Sequence, residues 1–325
     1  MIKTINQYKQ MKSYLLPLII LVIIFLMIIS PSIAISSFTK GITLWATKVL
    51  PTLLPFFILT KILSYTSIVD QIGKYLSPIT RKLYGVGGIA GYIYIMSIIS
   101  GYPVGAKLTS DYYKSGKLSQ GQAYTITSFT STSGPLFILG TIGIGMYHST
   151  HLGIIILISH YVGALINGLL FRNKHKYVIN DSELIVNDNK LSITDIMSSS
   201  INNILLIGGF IALAFMITEL LINYKCFIAI EWVLGNVGID TNITNATLSG
   251  IIEITTGSMM LTSTTLSFKP LATILTFLVS FGGLSIHTQA YIFLSSFNMP
   301  YSKFLLQKIC HAIISSAIAL LICLL

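Results

Sequence analysis

Apolar residues in this chain come in successive stretches of about 20 residues, separated by short polar or basic segments. Each stretch is long enough to cross the hydrocarbon core of a bilayer as a helix that satisfies its own backbone hydrogen bonds. The pattern therefore predicts an all-α polytopic membrane protein with about seven spanning helices. The predicted helices run, to within a few residues, over 15–36, 46–69, 121–147, 152–171, 193–222, 269–297 and 303–325.

Two further apolar stretches, 86–104 and 246–265, are rich in small residues and are interrupted by Gly. Basic residues flank the first stretch on both sides, at Arg81 and Lys82 and again at Lys107. Because cytoplasmic loops are enriched in Lys and Arg, a simple crossing would place one of these basic clusters on the wrong side. We therefore predict that the first stretch is a re-entrant hairpin, and that the second stretch forms the equivalent hairpin in the second half of the chain.

The order of predicted elements recurs between the two halves of the chain. Several small residues also recur at an offset of about 149 positions. The matches pair Ser100-Gly101 with Ser249-Gly250, and Ser131 and Gly134 with Ser280 and Gly283. Three predicted crossings separate the starts of the two copies, so the second copy enters the membrane in the opposite orientation. This predicts inverted repeats, each with one re-entrant hairpin and one broken helix, an arrangement that places transporter sites near the bilayer midplane.

The predicted organisation has four parts. Residues 1–40 contain an N-terminal transmembrane helix, 41–172 the first repeat, 173–192 a polar cytoplasmic linker, and 193–325 the second repeat. The first apolar run is longer than the apolar core of a secretory signal peptide, so we expect this helix to be retained.

Composition excludes a water-soluble globular fold, because only 9% of the residues are charged and 53% are hydrophobic. The net charge of +10 comes from Lys and Arg scattered through short loops. Positive-inside topology explains this charge better than nucleic-acid binding, so no nucleic-acid partner is expected. Attraction of anionic solutes or lipid head groups would be a secondary effect.

The sequence offers little support for catalysis or for a cofactor. The three cysteines, Cys226, Cys310 and Cys323, show no C-x-x-C spacing. No phosphate-binding G-x-x-x-x-G-K-[ST] motif, H-E-x-x-H zinc motif or G-x-S-x-G nucleophile motif occurs. We therefore expect neither an enzyme nor a metal or cofactor site.

Four clusters of small and polar residues interrupt the apolar segments and are the candidate substrate-binding residues. Gly and Pro break a helix and free backbone groups to face a ligand. The alternatives are an ordinary turn, Ser and Thr bonding their own backbone, or close helix packing. The candidates are Ser100, Gly101, Tyr102, Pro103 and Lys107 in the first hairpin, Ser131, Thr132, Ser133 and Gly134 in the first broken helix, Ser249, Gly250, Glu253, Thr255 and Thr256 in the second hairpin, and Gly283, Ser285, His287 and Gln289 in the second broken helix.

Glu253 and His287 stand out because an ionisable side chain at membrane depth is costly unless it is paired or hydrated. Glu253 could carry a proton or ligate a cation, and His287 could bind a solute anion. The alternative is that either residue lies at the membrane interface. Coupling stays open between Na⁺, H⁺ and uncoupled downhill movement.

The segment Ser100-Gly-Tyr-Pro-Val-Gly-Ala-Lys107, followed by Thr130-Ser-Thr-Ser-Gly-Pro135, resembles the sporulation integral membrane proteins of the YlbJ type. These are also called stage V sporulation protein V and belong to the nucleoside-recognition, or Gate, domain group. The resemblance covers residues 40–320. It implies a bacterial cell-membrane protein that moves dipicolinate from the mother cell across the outer forespore membrane.

Gate-domain proteins are also similar to concentrative nucleoside transporters, whose two hairpins and two broken helices enclose the substrate in each subunit of a trimer. The resemblance thus implies a homo-oligomer as one assembly state. The expected function is transport of a small anion, with dipicolinate as the implied solute. A nucleoside transporter and a non-transporting membrane scaffold for spore-envelope assembly are the alternatives.

Overall fold

The computed structural model describes residues 17–63, 66–172 and 192–325. Of these residues 84% are helical, and no strand occurs within the described ranges. The all-α prediction is therefore confirmed. The linker predicted at 173–192 lies, apart from Ser192, outside the described residues.

Fifteen α-helices, α1 to α15, follow one another with short connections within the described ranges. A π-helical turn, Trp45–Val49, joins α2 to α3, another, Phe137–Met146, follows α7, and a short 3₁₀ turn, Ser295–Phe297, follows α14. The helices are α1 Pro17–Ile29, α2 Pro31–Leu44, α3 Leu50–Leu63, α4 Ser67–Tyr84, α5 Gly88–Ser100, α6 Val104–Lys114, α7 Gln120–Thr130, α8 Thr150–Leu170, α9 Ile193–Asn223, α10 Ile228–Gly235, α11 Thr241–Ile252, α12 Ile254–Leu261, α13 Phe268–Phe281, α14 Gly283–Leu294 and α15 Tyr301–Leu324.

Five segments of the described chain are long and apolar enough to cross a bilayer, and a sixth is a pair of helices bent by 106°. The five are Pro31–Leu59, Thr150–Leu170, Ile193–Asn223, Phe268–Phe297 and Tyr301–Leu324, and the bent pair is Lys74–Tyr84 with Gly88–Ser100. The chain is thus a multi-pass membrane protein with fewer uninterrupted spans than the seven predicted.

Two features of the structure account for the difference between the predicted and the observed number of spans. The first predicted helix is interrupted at Ser30, because Pro31 starts a new helix there. That new helix continues through α3, so the predicted domain boundary at residue 40 falls inside it. The predicted helix 121–147 is interrupted at 131–134, and neither half is long enough to cross alone.

The first helix pair, α5 and α6, turns at Ser100–Pro103, which we call the first tip. Gly101 adopts a φ of +68°, a conformation that favours glycine. Its N–H donates to the Ser97 carbonyl at 2.8 Å and closes the last turn of α5. At Gly105 a Cβ atom would lie only 2.4 Å from the Ser97 hydroxyl oxygen, so α6 packs closely against α5.

The second helix pair, α11 and α12, turns at Glu253, which we call the second tip. The Glu253 N–H donates to the Ser249 carbonyl at 2.8 Å, as Gly101 does to Ser97 in the first pair. Gly257 approaches so closely that a Cβ atom would lie 2.2 Å from the Gly250 Cα. The two pairs therefore share one design of turn and close glycine contact.

The residues matched in the predicted repeat lie in partly similar places. Ser249 and Gly250 lie in the last turn of α11 before the second tip, whereas Gly101 is part of the first tip. Gly134 and Gly283 each lie where a helix resumes after an interruption. The inverted repeat stays a prediction.

Helix α9 packs against the α2–α3 helix around Trp45. The indole N–H of Trp45 donates to the Ile204 carbonyl at 3.0 Å. A Cβ atom on Gly208 would lie 2.7 Å from the Trp45 ring, whereas one on the neighbouring Gly209 would meet nothing within 4 Å. A side chain at Gly208 would therefore collide with Trp45, whereas one at the adjacent Gly209 would project into open space.

We predict that Gly208→Leu destabilises the protein by about 1–3 kcal/mol, because the side chain would overpack the Trp45 contact. Gly209→Leu should leave stability close to that of the unmodified protein. Thermal unfolding of both variants in the same detergent measures the difference. Equal melting temperatures for the two variants would contradict the α9 contact described here.

Candidate functional site

The first break is the non-helical segment Ser131–Gly134, which lies between α7 and a helix that resumes at Pro135. Proline has no N–H, and an interrupted helix leaves backbone groups without their usual partners. Side chains of α8 supply new partners at Ser133. Its N–H donates to His160 Nε2 at 2.9 Å, and its carbonyl accepts from the Tyr161 hydroxyl at 2.9 Å.

His160 also connects the first break to α13. Since a backbone N–H can only donate, Nε2 of His160 must accept the bond from Ser133. In the neutral ring the proton then resides on Nδ1, which donates to the Ser280 hydroxyl at 2.9 Å. Both ring nitrogens of His160 are therefore occupied, and the ring holds two interrupted helices together.

The second break lies at Gly282 and Gly283, between α13 and α14. Both glycines have positive φ, of +89° and +71°, which L side chains rarely adopt. His287 Nε2 donates to the freed carbonyl of Phe281 at 2.9 Å, and Nδ1 lies 3.2 Å from the Tyr301 hydroxyl. The predicted site residue His287 thus uses both ring nitrogens to support the break.

Each tip packs against the break of its own half through backbone contacts. A Cβ atom on Gly101 would lie 2.8 Å from the Gly134 nitrogen, and one on Gly283 would lie 3.3 Å from the Glu253 Cα. Tyr102 crosses between the halves, because a Cβ atom on Gly282 would lie 3.4 Å from its hydroxyl oxygen. The two tips and two breaks therefore meet at one place.

A cavity lies at this meeting point, with a volume of about 660 Å³ including its mouth. Helices α3 and α9 and the segment after the first break close it with apolar side chains. Both tips and the first break contribute lining residues, and α14, which follows the second break, contributes Ser285, Ile286 and Gln289. The lining comprises Leu53, Phe56, Phe57, Ser100, Gly101, Tyr102, Ser133, Gly134, Phe137, Ile207, Phe210, Glu253, Ile254, Thr255, Ser285, Ile286 and Gln289.

Half of the predicted site residues line this cavity, and the others lie in the tips, in the breaks or in the helices next to them. Those that line it are Ser100, Gly101, Tyr102, Ser133, Gly134, Glu253, Thr255, Ser285 and Gln289. Those outside the lining are Pro103, Lys107, Ser131, Thr132, Ser249, Gly250, Thr256, Gly283 and His287. Lys107 is exposed, since the buried face of α6 carries Gly105, Ala106 and Thr109 instead.

Glu253 is the acidic residue among the lining side chains, and it also caps α12. Its Oε2 accepts from the Thr256 N–H at 2.7 Å and from the Thr256 hydroxyl at 2.9 Å. A carboxylate at a helix N-terminus satisfies a backbone donor and complements the helix dipole. The position of Glu253 therefore has a structural account in addition to any role toward a solute.

Three ionisable residues that the sequence analysis did not select lie buried beside the first break: Lys308 and His311 on α15, and His160 on α8. Lys308 is 2% exposed, and its ammonium donates to the Ser131 carbonyl at 2.9 Å and to the Tyr102 hydroxyl. His311 Nε2 donates to the His160 carbonyl at 2.9 Å. The sequence signal was an ionisable side chain within an apolar helix, the criterion that selected Glu253.

Comparison with known proteins agrees with the resemblance carried by the first tip and first break. Residues 46–150 match the sequence model of the Gate family, described as nucleoside recognition. The sporulation integral membrane protein YlbJ of Bacillus subtilis (strain 168) is 28% identical over 318 residues, which covers 90% of this chain and 78% of that protein. This chain is similar to YlbJ. No solved structure matches it.

The match to the Gate family includes the first tip and the first break, and the match to YlbJ extends over most of the chain. The predicted resemblance is therefore confirmed. That relative is named as an integral membrane protein of sporulation, in agreement with the apolar spans of this chain.

We predict that Glu253→Gln preserves stability, because the amide oxygen of Gln can accept the same two bonds from Thr256. Glu253→Ala should lose about 0.5–2 kcal/mol, as expected for removal of a helix cap. Thermal unfolding in detergent compares the two variants. A large loss of stability in Glu253→Gln would show that the carboxylate charge itself holds the second tip.

Proposed function

We propose that the chain moves a small solute across the membrane through the central cavity, and that the solute is a small planar anion, dipicolinate. The observation that carries the proposal is the convergence of two tips and two breaks on one cavity. Irregular backbone at membrane depth is tolerated where it is buried in protein or lines a cavity. Discontinuous helices that meet near the midplane are the way secondary transporters present backbone groups and helix ends to a solute.

The helix ends at the cavity favour an anion. Gly134, Thr255 and Ser285 all line the cavity, and each lies just before or within the first turn of a helix that begins there. The N-terminal end of a helix carries a partial positive charge and unpaired N–H donors. Glu253 already caps the end at α12, so the other two ends, at Gly134 and at α14, are the ones that support a solute with carboxylate groups.

The apolar side of the cavity favours a flat ring. Phe56, Phe57, Phe137 and Phe210 all contribute to the lining. Aromatic side chains bind planar rings by stacked or edge-to-face contact. A pyridine dicarboxylate such as dipicolinate combines this ring with carboxylates, and a nucleoside combines a flat base with neutral hydrogen-bonding groups.

The resemblance to YlbJ supports the sporulation context of the proposal. The proposal therefore also includes a location in the outer forespore membrane and transport from the mother cell toward the forespore. Assembly as a homo-oligomer, and coupling to Na⁺ or H⁺, stay predictions.

The proposal also includes inverted repeats with re-entrant hairpins, and labelling can test that topology. Lys82, Lys114 and Asn242 are all exposed, so cysteines placed there should react with a membrane-impermeant reagent after the three native cysteines are replaced. Positions 82 and 114 should be labelled from the cytoplasmic side only, and 242 from the opposite side. Labelling of 82 and 114 from opposite faces would rule out the first re-entrant hairpin.

Uptake of labelled dipicolinate and labelled uridine into vesicles that contain only this protein tests the function directly. Imposed Na⁺ and H⁺ gradients are included as separate conditions. We expect dipicolinate to enter faster than in protein-free vesicles, with little uridine uptake. Uridine uptake without dipicolinate uptake would favour the nucleoside alternative, and no uptake of either would favour the scaffold.

A cavity-filling variant tests where the solute binds, and a leucine at an exposed glycine is its matched control. A Cβ atom on Gly134 would meet its nearest neighbour at 3.6 Å, so the backbone tolerates a side chain whose outer atoms then enter the cavity. Gly134→Leu should abolish dipicolinate flux at near-normal membrane levels, whereas Gly235→Leu, in open space, should not. Gly101→Leu should also abolish flux, but its positive φ makes that variant a test of folding as well. Unmodified flux in Gly134→Leu would place the solute elsewhere.

A further inference from the structure

Lys308 is a buried basic residue without an acidic partner among the described residues. It lies on α15, and its ammonium contacts the Ser131 carbonyl, the Tyr102 hydroxyl and the face of the Tyr102 ring, at 4.8 Å from the ring centroid. No carboxylate of the described residues takes part in these contacts. An ammonium at membrane depth is costly unless an anion or several acceptors compensate its charge.

Two hydroxyl groups of the segment whose carbonyl Lys308 contacts are also buried and have no hydrogen-bond partner among the described residues. They are Oγ of Ser131 and Oγ1 of Thr132, in residues that are 6% and 0% exposed. Buried hydroxyls in native proteins are usually satisfied, so each such case needs an explanation. Together with Lys308, they form a group of donors that lacks an anionic acceptor among the described residues.

The neighbouring rings do not supply that acceptor. Both nitrogens of His160 are used by Ser133 and Ser280. His311 donates from Nε2 to a carbonyl. An ionised carboxylate accepts on both oxygens, and its bonds with an ammonium and with hydroxyls are charge-assisted. The donor group is therefore complementary to a carboxylate that the described residues do not provide.

Tyr102 connects this donor group to the cavity. It lines the cavity, its hydroxyl accepts from Lys308, and the same hydroxyl lies beside Gly282 of the second break. A carboxylate that entered from the cavity would meet Lys308 by replacing the Tyr102 hydroxyl as its partner. The bond from Lys308 to a neutral hydroxyl would then be exchanged for a bond to an ionised carboxylate, in which both partners are charged.

We propose that Lys308, with the Ser131 and Thr132 hydroxyls, is the specificity-determining site that binds a carboxylate of the transported solute. The inference rests on the proposed function, since it assumes that the central cavity admits the solute. It goes further by assigning the discrimination between a carboxylate and a neutral group to one ammonium. A purely structural Lys308 would instead support binding of charged and neutral solutes equally.

The experiment compares three probes that share one ring: pyridine-2,6-dicarboxylate, pyridine-2-carboxylate and the neutral pyridine-2,6-dicarboxamide. Binding of each to purified full-length protein is measured by titration in detergent, for the unmodified chain, Lys308→Gln and Lys308→Arg. We expect the unmodified chain to prefer the dicarboxylate over the dicarboxamide. Lys308→Gln should lose about 30-fold or more of its affinity for the dicarboxylate and keep its affinity for the dicarboxamide. Lys308→Arg should retain most of the preference for charge.

Two results would overturn the inference while leaving transport intact. One is an undiminished preference for the dicarboxylate in Lys308→Gln, and the other is an equal loss of charged and neutral probes in a well-folded variant. If the unmodified chain binds none of the probes and moves no dipicolinate in vesicles, the proposed function fails and the inference fails with it. The vesicle assay therefore separates the two failures.

A second variant keeps the test decisive if Lys308→Gln does not fold. Ser131→Ala combined with Thr132→Val removes two hydroxyls that bond nothing in the structure, so it should cost little stability. It should weaken binding of the dicarboxylate about 10-fold and leave the dicarboxamide less affected. Unchanged dicarboxylate affinity in this double variant would contradict the proposed site.

Discussion

The requirement that every backbone polar group inside a membrane finds a partner is the constraint on which this structure depends. The two tips and the two breaks remove helical hydrogen bonds, and side chains of neighbouring helices must supply new partners. His160 and Tyr161 supply partners at Ser133, and His287 supplies one at Phe281. The breaks can therefore persist only because α8, α14 and α15 present polar side chains to them.

This support has a functional consequence. Glycines bring each tip against its break at backbone distance, as at Gly101 with Gly134 and at Gly283 with Glu253. The cavity between them is thus lined by helix ends. Side chains such as His160, which do not line the cavity, hydrogen-bond to the backbone at these ends. A solute that entered would meet backbone donors held in place by a second layer of polar residues, with Lys308 as the buried cation of that layer.

Local signals in the sequence were enough to predict the fold class and much of the candidate site. Gly and Pro interrupt apolar runs at the tips and breaks, and this pattern depends only on neighbours along the chain. Lys107 was predicted as a site residue because it is close in sequence to the first tip. It is exposed because the buried face of α6 carries other residues. Lys308 and His160 carry the local signal that selected Glu253, an ionisable side chain within an apolar helix, but their partners lie on distant segments that no local pattern indicates.

The most direct test of the central claim is whether one solute protects all four interruptions. Single cysteines at Ser100, Ser133, Thr255 and Ser285, in a cysteine-free background, place one thiol in the first tip, one in the first break, and one in the first turn of each helix that follows the second tip and the second break. The account predicts that a small water-soluble thiol reagent modifies all four, that dipicolinate slows all four, and that an exposed cysteine at Lys82 reacts regardless of dipicolinate. Protection confined to one half of the molecule, or absent at every position, would contradict a single shared cavity for the solute.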